Sequence, residues 1–516
     1  MNKKITLLLI LIFSCFALIK LGSGNQKTRL SEAYFYSSID SLSKNFNSEV
    51  VTALERFAYE SEMRNASIGF LLIDPANNNI VCDYNSDKAL IPASTMKLLT
   101  TATALEVLGQ DTSFTTWIQY DGVFDPEYKS LNGNIYIKGG GDPCLGSKAY
   151  GQRYYQPYFI EAWAKAIKEM GIDVIEGDII ADELVFDTDI IPSGWNWVDI
   201  PAYYGSAASG LSIFDNTFTL EVQPGVRGKY VVPKQDINPY IPDFYVENHL
   251  SYSSNGAKYL DLIGTYYSND RIIKGIVPKN KNGISIRGSI PDPPYLAAWN
   301  LKNELEKLGV KVSGIPTSMR QIRSENKKSD GERKPITGIS SPILADIVKR
   351  TNLISNNLYA EHLLNHIGYM QKGKGSTTSG TDAVLEYWRI KGIETGGMAM
   401  GDGCGLSRSN TLTAKQLVHL LYFMRSSSEN GELYYNSLPV SGISGTLVRF
   451  GTTTTSKGKI HAKSGSMSRI KSYAGYVSCQ SGNELIFAFI VNNFNGKSSD
   501  IRTKMASVLE AVIKNN

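Results

Sequence analysis

Helical texture occurs in two blocks of this sequence, before residue 113 and after residue 336, and the stretch between them reads as short strands and turns. At 516 residues the chain exceeds one ordinary domain, and two or three are expected. In the first block, residues 28–62 carry Leu42, Phe46, Val50, Val51, Leu54 and Phe57 at helical spacing. Residues 66–74 and 80–84 read as a strand pair around a turn at 75–79. A helix then begins at Pro92 and runs to Gly109, with Met96, Leu98, Leu99, Ala102 and Leu105 apolar. The middle stretch holds strands at 134–138, 174–182, 218–222 and 284–288, and helices at 160–170 and 294–308. It closes on residues 322–335, whose charged, polar composition reads as a linker. Helices follow at 342–350, 355–366, 380–391, 414–424 and 499–514, with strands at 471–478 and 484–492.

The N-terminus gives a destination. Lys3 and Lys4 precede an apolar run over 5–19, then Lys20 and Gly22-Ser23-Gly24, the pattern of a signal peptide spanning 1–24. Cleavage near residue 24 is the first reading, an uncleaved anchor the second and lipidation at Cys15 the third. The expectation is therefore an exported protein of the periplasm or cell envelope, with peripheral membrane association open. A net charge of +4 spread over this length argues against nucleic acid as a partner. Cys82, Cys144, Cys404 and Cys479 are scattered without a C-x-x-C, so neither a zinc site nor a dense disulfide framework is indicated, and their pairing stays open. Gly139-Gly140-Gly141 is not a phosphate cradle, because no Gly-Lys-Ser/Thr follows it.

Three short motifs carry the chemistry. On the helix after Pro92, Ser94 and Lys97 stand at i and i+3 and share a face. A serine hydroxyl becomes a nucleophile beside a base, and lysine serves as one when burial and neighbouring charge hold it neutral. The helix start also presents backbone N–H groups suited to a developing oxyanion. S-x-x-K by itself occurs in many chains. Here it is followed, in order, by Ser355-Asn356-Asn357 and by Lys463-Ser464-Gly465-Ser466 ahead of a strand. His362 and His366 have a zinc-like i, i+4 spacing, but Leu363 stands where H-E-x-x-H needs glutamate, so they read as packing residues. There is no G-x-S-x-G elbow for a Ser-His-Asp hydrolase.

S-x-x-K, S-x-N and K-S-G in this order are the set of the penicillin-recognising serine enzymes. From about residue 64 onward the chain resembles the low-molecular-mass class C penicillin-binding proteins, which are D-alanyl-D-alanine carboxypeptidases and endopeptidases. The segments that carry the likeness are 139–143 (Gly-Gly-Gly-Asp-Pro), 357–364, 402–408, 438–447 and 473–477. The resemblance implies an α/β (α+β) fold, an antiparallel sheet with helices, interrupted by an insertion of two small domains. Spacing agrees: Ser94 and Ser355 lie 261 positions apart, and removing 113–336 leaves one plausible domain. The expected division is a catalytic domain over 28–112 and 337–516, with an accessory region at 113–336.

The resemblance also implies roles. Ser94 attacks the D-Ala-D-Ala carbonyl, Lys97 takes its proton and Ser355 passes a proton to the leaving D-alanine. Asn357 holds Lys97 and the substrate amide. Lys463 and Ser464 bind the terminal carboxylate, and the N–H groups of Ser94 and Ser466, flanking Gly465, form the oxyanion hole. The implied partners are peptidoglycan stem peptides, with β-lactams as inhibitors; no cofactor or metal is implied, and the oligomeric state is left open. Ser464 departs from the family's usual threonine, and Cys144 and Cys404 from its small hydroxylated residues. Two alternatives stand beside this reading: a serine β-lactamase and a catalytically silent wall-binding protein. Residues 361–365 spell E-x-x-L-N, the pattern around the deacylating glutamate of class A β-lactamases, but Glu361 lies one helical turn beyond Asn357 and reads as a packing or helix-surface residue.

Overall fold

In the computed structural model, residues 43–77, 79–151, 158–224, 230–231, 237–253, 259–278, 283–326 and 331–516 are described. The signal-peptide reading at 1–24 and the start of the 28–62 helix lie outside them. Among the described residues no helix is long and apolar enough to cross a membrane.

The two ends of the chain meet in one six-stranded sheet, ordered Ser43–Lys44, Asn79–Tyr84, Ser67–Asp74, Glu484–Asn492, Ile470–Ser478 and Ile460–Met467. All pairings are antiparallel except that of the short first strand. Both faces of this sheet are covered, so its two central strands are apolar on both faces between their polar ends, over 68–73 and 485–491, rather than alternately. Along Glu484–Asn492, Leu485, Phe487, Phe489 and Val491 pack toward the helices Ser48–Ala58 and Ser498–Asn515. Ile486, Ala488 and Ile490 face the other way, toward Lys97–Leu108, Asn357–Lys372 and Ala414–Ser426.

The chain leaves this body and returns to it at one place. Thr115–Tyr120 pairs antiparallel with Lys334–Ser340, and Phe114 and Ser341 exchange hydrogen bonds at 2.9 and 2.8 Å. Between them lie several small sheets and the helices Tyr158–Glu169 and Pro293–Lys307, around one continuous apolar cluster.

Several elements differ from the sequence reading. The first helix begins at Ser48, capped by the Asn47 side chain, and Phe46 is exposed ahead of it. The 322–335 linker enters regular structure at its two ends, and its residues 327–330 lie outside the described residues. A capping box of Ser318 and Gln321 starts the helix Met319–Ser324, and the strand Lys334–Ser340 takes its end. Arg333, counted there as a linker charge, lies 3.9 Å from the centre of the Tyr136 ring and pairs with Asp182. Charge alone misled, because these cations have built partners. The four cysteines are all buried free thiols.

His362 and His366 fasten the insertion to the body. His362 Nδ1 and His366 Nε2 both lie on the carbonyl of Gly141, at 2.8 and 2.9 Å, and His366 stacks on Phe114. A carbonyl has two lone pairs, so one oxygen serves both rings. Burial pushes His362 down to about 3 and His366 to about 4. Folding thus favours the neutral rings, and their contribution is whole above pH ~6.5 and lost as pH falls toward 4 and 3. Buried Asp142 and Glu361, pushed up to about 7 and about 8, have the opposite sign and lose stability as pH rises. The difference between wild type and His362→Gln therefore isolates the histidine part. Thermal melts between pH 7 and 4 should show a steeper acid loss in wild type, each unit of depression being worth about 1.4 kcal/mol; parallel curves would refute the assignment.

Candidate active site

The neighbourhood of Ser94 is set by close packing. Ala93 is in a left-handed conformation, φ 48°, and opens a 3-10 turn over Ala93–Met96 before the α-helix Lys97–Leu108. The helix expected from Pro92 thus has a tightened first turn. Pro92 O accepts from Thr95 Oγ1 at 2.7 Å and from Ser472 Oγ at 2.5 Å. Asn492 clamps Ile91 through both its amide atoms, at 2.8 and 3.0 Å. These contacts tie the turn to the sheet, and Ser94 is left partly exposed at its corner.

Lys97 is fully buried beneath Ser94. Its Nζ lies 3.2 Å from Ser94 Oγ and donates to Asn357 Oδ1 and to the carbonyl of Cys404, each at 2.6 Å. The last two atoms can only accept. A neutral amine therefore spends both its N–H bonds on them and turns its lone pair toward the serine hydroxyl. Burial is the main influence pushing this ammonium down, while Cys404, Asp402 and Glu361 nearby pull it back. Asn357 cannot flip its amide, because its Nδ2 donates to the Tyr204 carbonyl at 2.7 Å. Tyr204 belongs to the inserted region.

Ser355 was expected to open a helix. It instead caps Leu344–Ile354 in the left-handed region, φ 59°, and Asn356 caps the next helix by accepting from Tyr359 N–H. This break between two helices brings Ser355 Oγ within 2.9 Å of Lys463 Nζ. Lys463 also donates to Ser464 O at 2.7 Å, is fully buried, and is pushed well down by burial and by Lys97.

The K-S-G motif was placed ahead of a strand. It lies within one, Ile460–Met467, at the sheet edge beside the Ser94 turn. Ser464 Oγ donates to Thr446 Oγ1 at 2.7 Å, and Ser466 Oγ accepts from Lys471 at 3.0 Å. A Cβ on Gly465 would stand 2.1 Å from Ser472 Oγ, 2.6 Å from Pro92 O and 3.0 Å from Ser94 N, so only glycine lets the strand pass. All eight candidate residues thus gather around Ser94, in two hydrogen-bonded groups joined by this strand.

Sequence reasoning missed the groups that hold them. Cys404 and Tyr204 act through backbone carbonyls, which carry no side-chain signal. Glu361 is buried, and its Oε1 accepts from Gly403 and Cys404 N–H at 2.9 and 2.7 Å. It shapes the loop that supplies the Cys404 carbonyl. Asp402 fixes the same loop, accepting from Gly405, Ser407, Asn410 and the Trp195 indole.

The sequence profile of the D-Ala-D-Ala carboxypeptidase 3 (S13) family matches residues 50–512. A D-alanyl-D-alanine carboxypeptidase of Actinomadura sp. (strain R39) is 28% identical over 448 residues, 84% of this chain and 79% of that protein. The D-alanyl-D-alanine carboxypeptidase DacB of Haemophilus influenzae is 26% identical over 453 residues, covering 86% and 89%. Penicillin binding protein 4 from Haemophilus influenzae shares the fold, with a TM-score of 0.75 at 23% identity over 90% of this chain and 97% of that one.

The fit around Gly465 makes one prediction. Gly465→Ala should displace the Ser94 turn, because two of the three clashing atoms are backbone. Overpacking of this kind typically costs ~1–3 kcal/mol, and a lowered thermal midpoint together with slowed labelling of Ser94 is expected. An unchanged labelling rate would show that the close approach is not needed.

Proposed function

This chain belongs to the D-Ala-D-Ala carboxypeptidase 3 (S13) family, and on that footing we propose that Ser94 cleaves the D-Ala-D-Ala bond of peptidoglycan stem peptides through an acyl-enzyme. The observation that carries the reading is the seating of Lys97, with two acceptor-only partners and Ser94 Oγ at 3.2 Å. Lys97 takes the hydroxyl proton as Ser94 Oγ bonds to the carbonyl carbon. The oxyanion forms between the N–H groups of Ser94 and Ser466, in a strand that Gly465 lets lie against the turn. Ser355 gives its proton to the departing amine and is reprotonated through Lys463 with the proton that Lys97 took, which leaves Lys97 neutral again and Lys463 with its charge. The C–N bond breaks, D-alanine leaves, and water then attacks the ester. Lys463 and Ser464 take the substrate's terminal carboxylate.

The same attack on the strained amide of penicillin would leave an acylated Ser94. Endopeptidase activity on cross-links is part of the proposal, with the amine of a neighbouring stem as leaving group. The signal-peptide pattern supports export to the periplasm or cell envelope, where this substrate lies. The region over 113–336 is proposed as accessory to the polymeric substrate. The β-lactamase alternative loses its main support, since the Glu361 carboxyl is engaged on the N–H groups of Gly403 and Cys404.

Mass spectrometry of a digest of penicillin-treated protein should find the adduct on the peptide containing Ser94, and none in Ser94→Ala. An adduct elsewhere sinks the mechanism. A second prediction concerns the carboxylate. Loss of one charge-assisted hydrogen bond costs ~1.5–3 kcal/mol, or roughly 10–150-fold. Lys463→Ala should lower kcat/KM on free D-Ala-D-Ala peptides by at least that factor. Wild type should also reject C-terminally amidated peptides; equal cleavage of both would count against carboxylate recognition.

A further inference from the structure

On the edge strand Ile460–Met467, side chains two residues apart share a face. Lys463 and Gly465 turn toward Ser355 and the Ser94 turn. Ser464 and Ser466 stand on the other face, with Ile460 and Ala462, which pack toward the helices Ser48–Ala58 and Ser498–Asn515. Ser466 is directly opposite Lys471 of the strand Ile470–Ser478, and Lys471 Nζ donates to its Oγ at 3.0 Å. The lysine is only 9% exposed, whereas the serine it reaches is exposed.

A lysine this buried ordinarily faces a carboxylate. Lys471 does not: among the described residues no carboxylate pairs with it, nor with Arg469 or Arg502. Arg469, in the turn between the two strands, is spent on the carbonyls of Asn493 and Phe494 and on Asn495 Oδ1. Arg502, on the helix Ser498–Asn515, has its Nε buried without a hydrogen-bond partner. Burial first, and then the charge of Arg502, push the Lys471 ammonium down. A desolvated cation under the field of a second one is unfavourable, and an anion arriving beside Ser466 would offset that.

The hydrogen-bond directions say where that anion belongs. An ammonium only donates, so Ser466 Oγ accepts from Lys471 and its own proton is left over. Among the described residues Ser466 Oγ donates to no acceptor. Ser464 gives its proton to Thr446 Oγ1 at 2.7 Å, and this pair, with two protons and one bond between them, keeps one for an anion as well. Side chains two apart on a strand stand ~7 Å apart, a distance that one carboxylate spans with a hydrogen bond of ~2.7 Å at each end. We propose that Lys471 is a positioning residue for the substrate's terminal carboxylate: by holding Ser466 Oγ as an acceptor it turns that hydroxyl proton toward the anion bound at Lys463 and Ser464. The proposal rests on the peptidase reading above and deepens it. In this role Lys471 touches neither the substrate nor Ser94, and it reads the carboxylate at one remove.

The test uses two N-acylated D-alanyl thioesters, one with thioglycolate as leaving group and one with thioglycolamide, so that only the terminal carboxylate differs. Wild type should hydrolyse the carboxylate form with the higher kcat/KM; equal values overturn the proposal, and this arm needs no variant to fold. Lys471→Met should lower kcat/KM on the carboxylate form roughly 10-fold, mainly through KM, and leave the amide form within about 2-fold. Lys471→Arg should restore the difference, and Lys471→Gln takes the place of the methionine variant if that one fails to fold. Because the lysine acts through Ser466, Lys471→Met should add nothing in a Ser466→Ala background. An unchanged ratio of the two thioesters in Lys471→Met overturns the proposal. So does an equal fall on both, which would show a merely structural role in the strand, and so do additive losses in the double variant, which would show that Ser466 is not the intermediary. If wild type hydrolyses neither thioester and benzylpenicillin leaves Ser94 unmodified, the peptidase reading itself fails, and this proposal with it.

Discussion

The structure turns on a lysine with no access to water. Lys97 makes its two shortest hydrogen bonds to Asn357 Oδ1 and Cys404 O, and its remaining direction is toward Ser94 Oγ. An ammonium here would be fully desolvated, and the cost of burying that charge favours the amine. The acidic groups of Cys404, Asp402 and Glu361 act against this, so the proton equilibrium at Lys97 is a balance and not a simple burial effect. Lys463 has burial and Lys97 both pushing it down, with no acidic group among the influences on it. Two lysines in one dry pocket cannot both hold a proton cheaply. A proton on either lysine therefore disfavours one on the other.

The two acceptors of Lys97, on Asn357 and Cys404, come from distant parts of the chain, so the fold must place them independently. The Cys404 carbonyl depends on a loop pinned by Asp402 and Glu361, and Asn357 depends on the Tyr204 carbonyl. The second dependence crosses into the inserted region. Removing that region would free the Asn357 amide to rotate and would take away the Gly141 carbonyl that satisfies His362 and His366. The insertion is thus accessory in position but coupled to the site through two backbone carbonyls.

What the sequence made legible was what side chains announce. S-x-x-K, S-x-N and K-S-G are patterns of side chains, and the fold brings the three together. The strand over 484–492 was read at the bounds it has, though its burial on both faces was not. What stayed hidden was of another kind. Ser355 was read as the start of the following helix, and nothing local marks a non-glycine residue as left-handed. The 322–335 segment read as a linker because Arg333 and its neighbours are charged, and their partners, Asp182 and the Tyr136 ring, lie far off in sequence. The carbonyls of Cys404 and Tyr204 could not be found from residue types at all.

Glu361 shows how a motif misleads when read without its geometry. E-x-x-L-N invites comparison with a deacylation base, and a glutamate pushed up to about 8 is the sort of group that could move a proton near neutrality. Burial is the main cause of that shift, with Asp402 adding to it, so the raised value reports a dry environment more than a task. A deacylation base needs a water between itself and the acylated serine. One oxygen of Glu361 is committed to two backbone N–H groups, on the loop whose carbonyl meets Lys97 from below. Its other oxygen is buried with no partner, hence on neither side does it face the partly exposed Ser94 corner with a hydrogen bond. The glutamate acts on the serine at one remove, by fixing the atom that fixes Lys97. In the proposed mechanism such a group bears on the attack by Ser94, through the seating of Lys97, and the water that releases the acyl group would be activated from elsewhere.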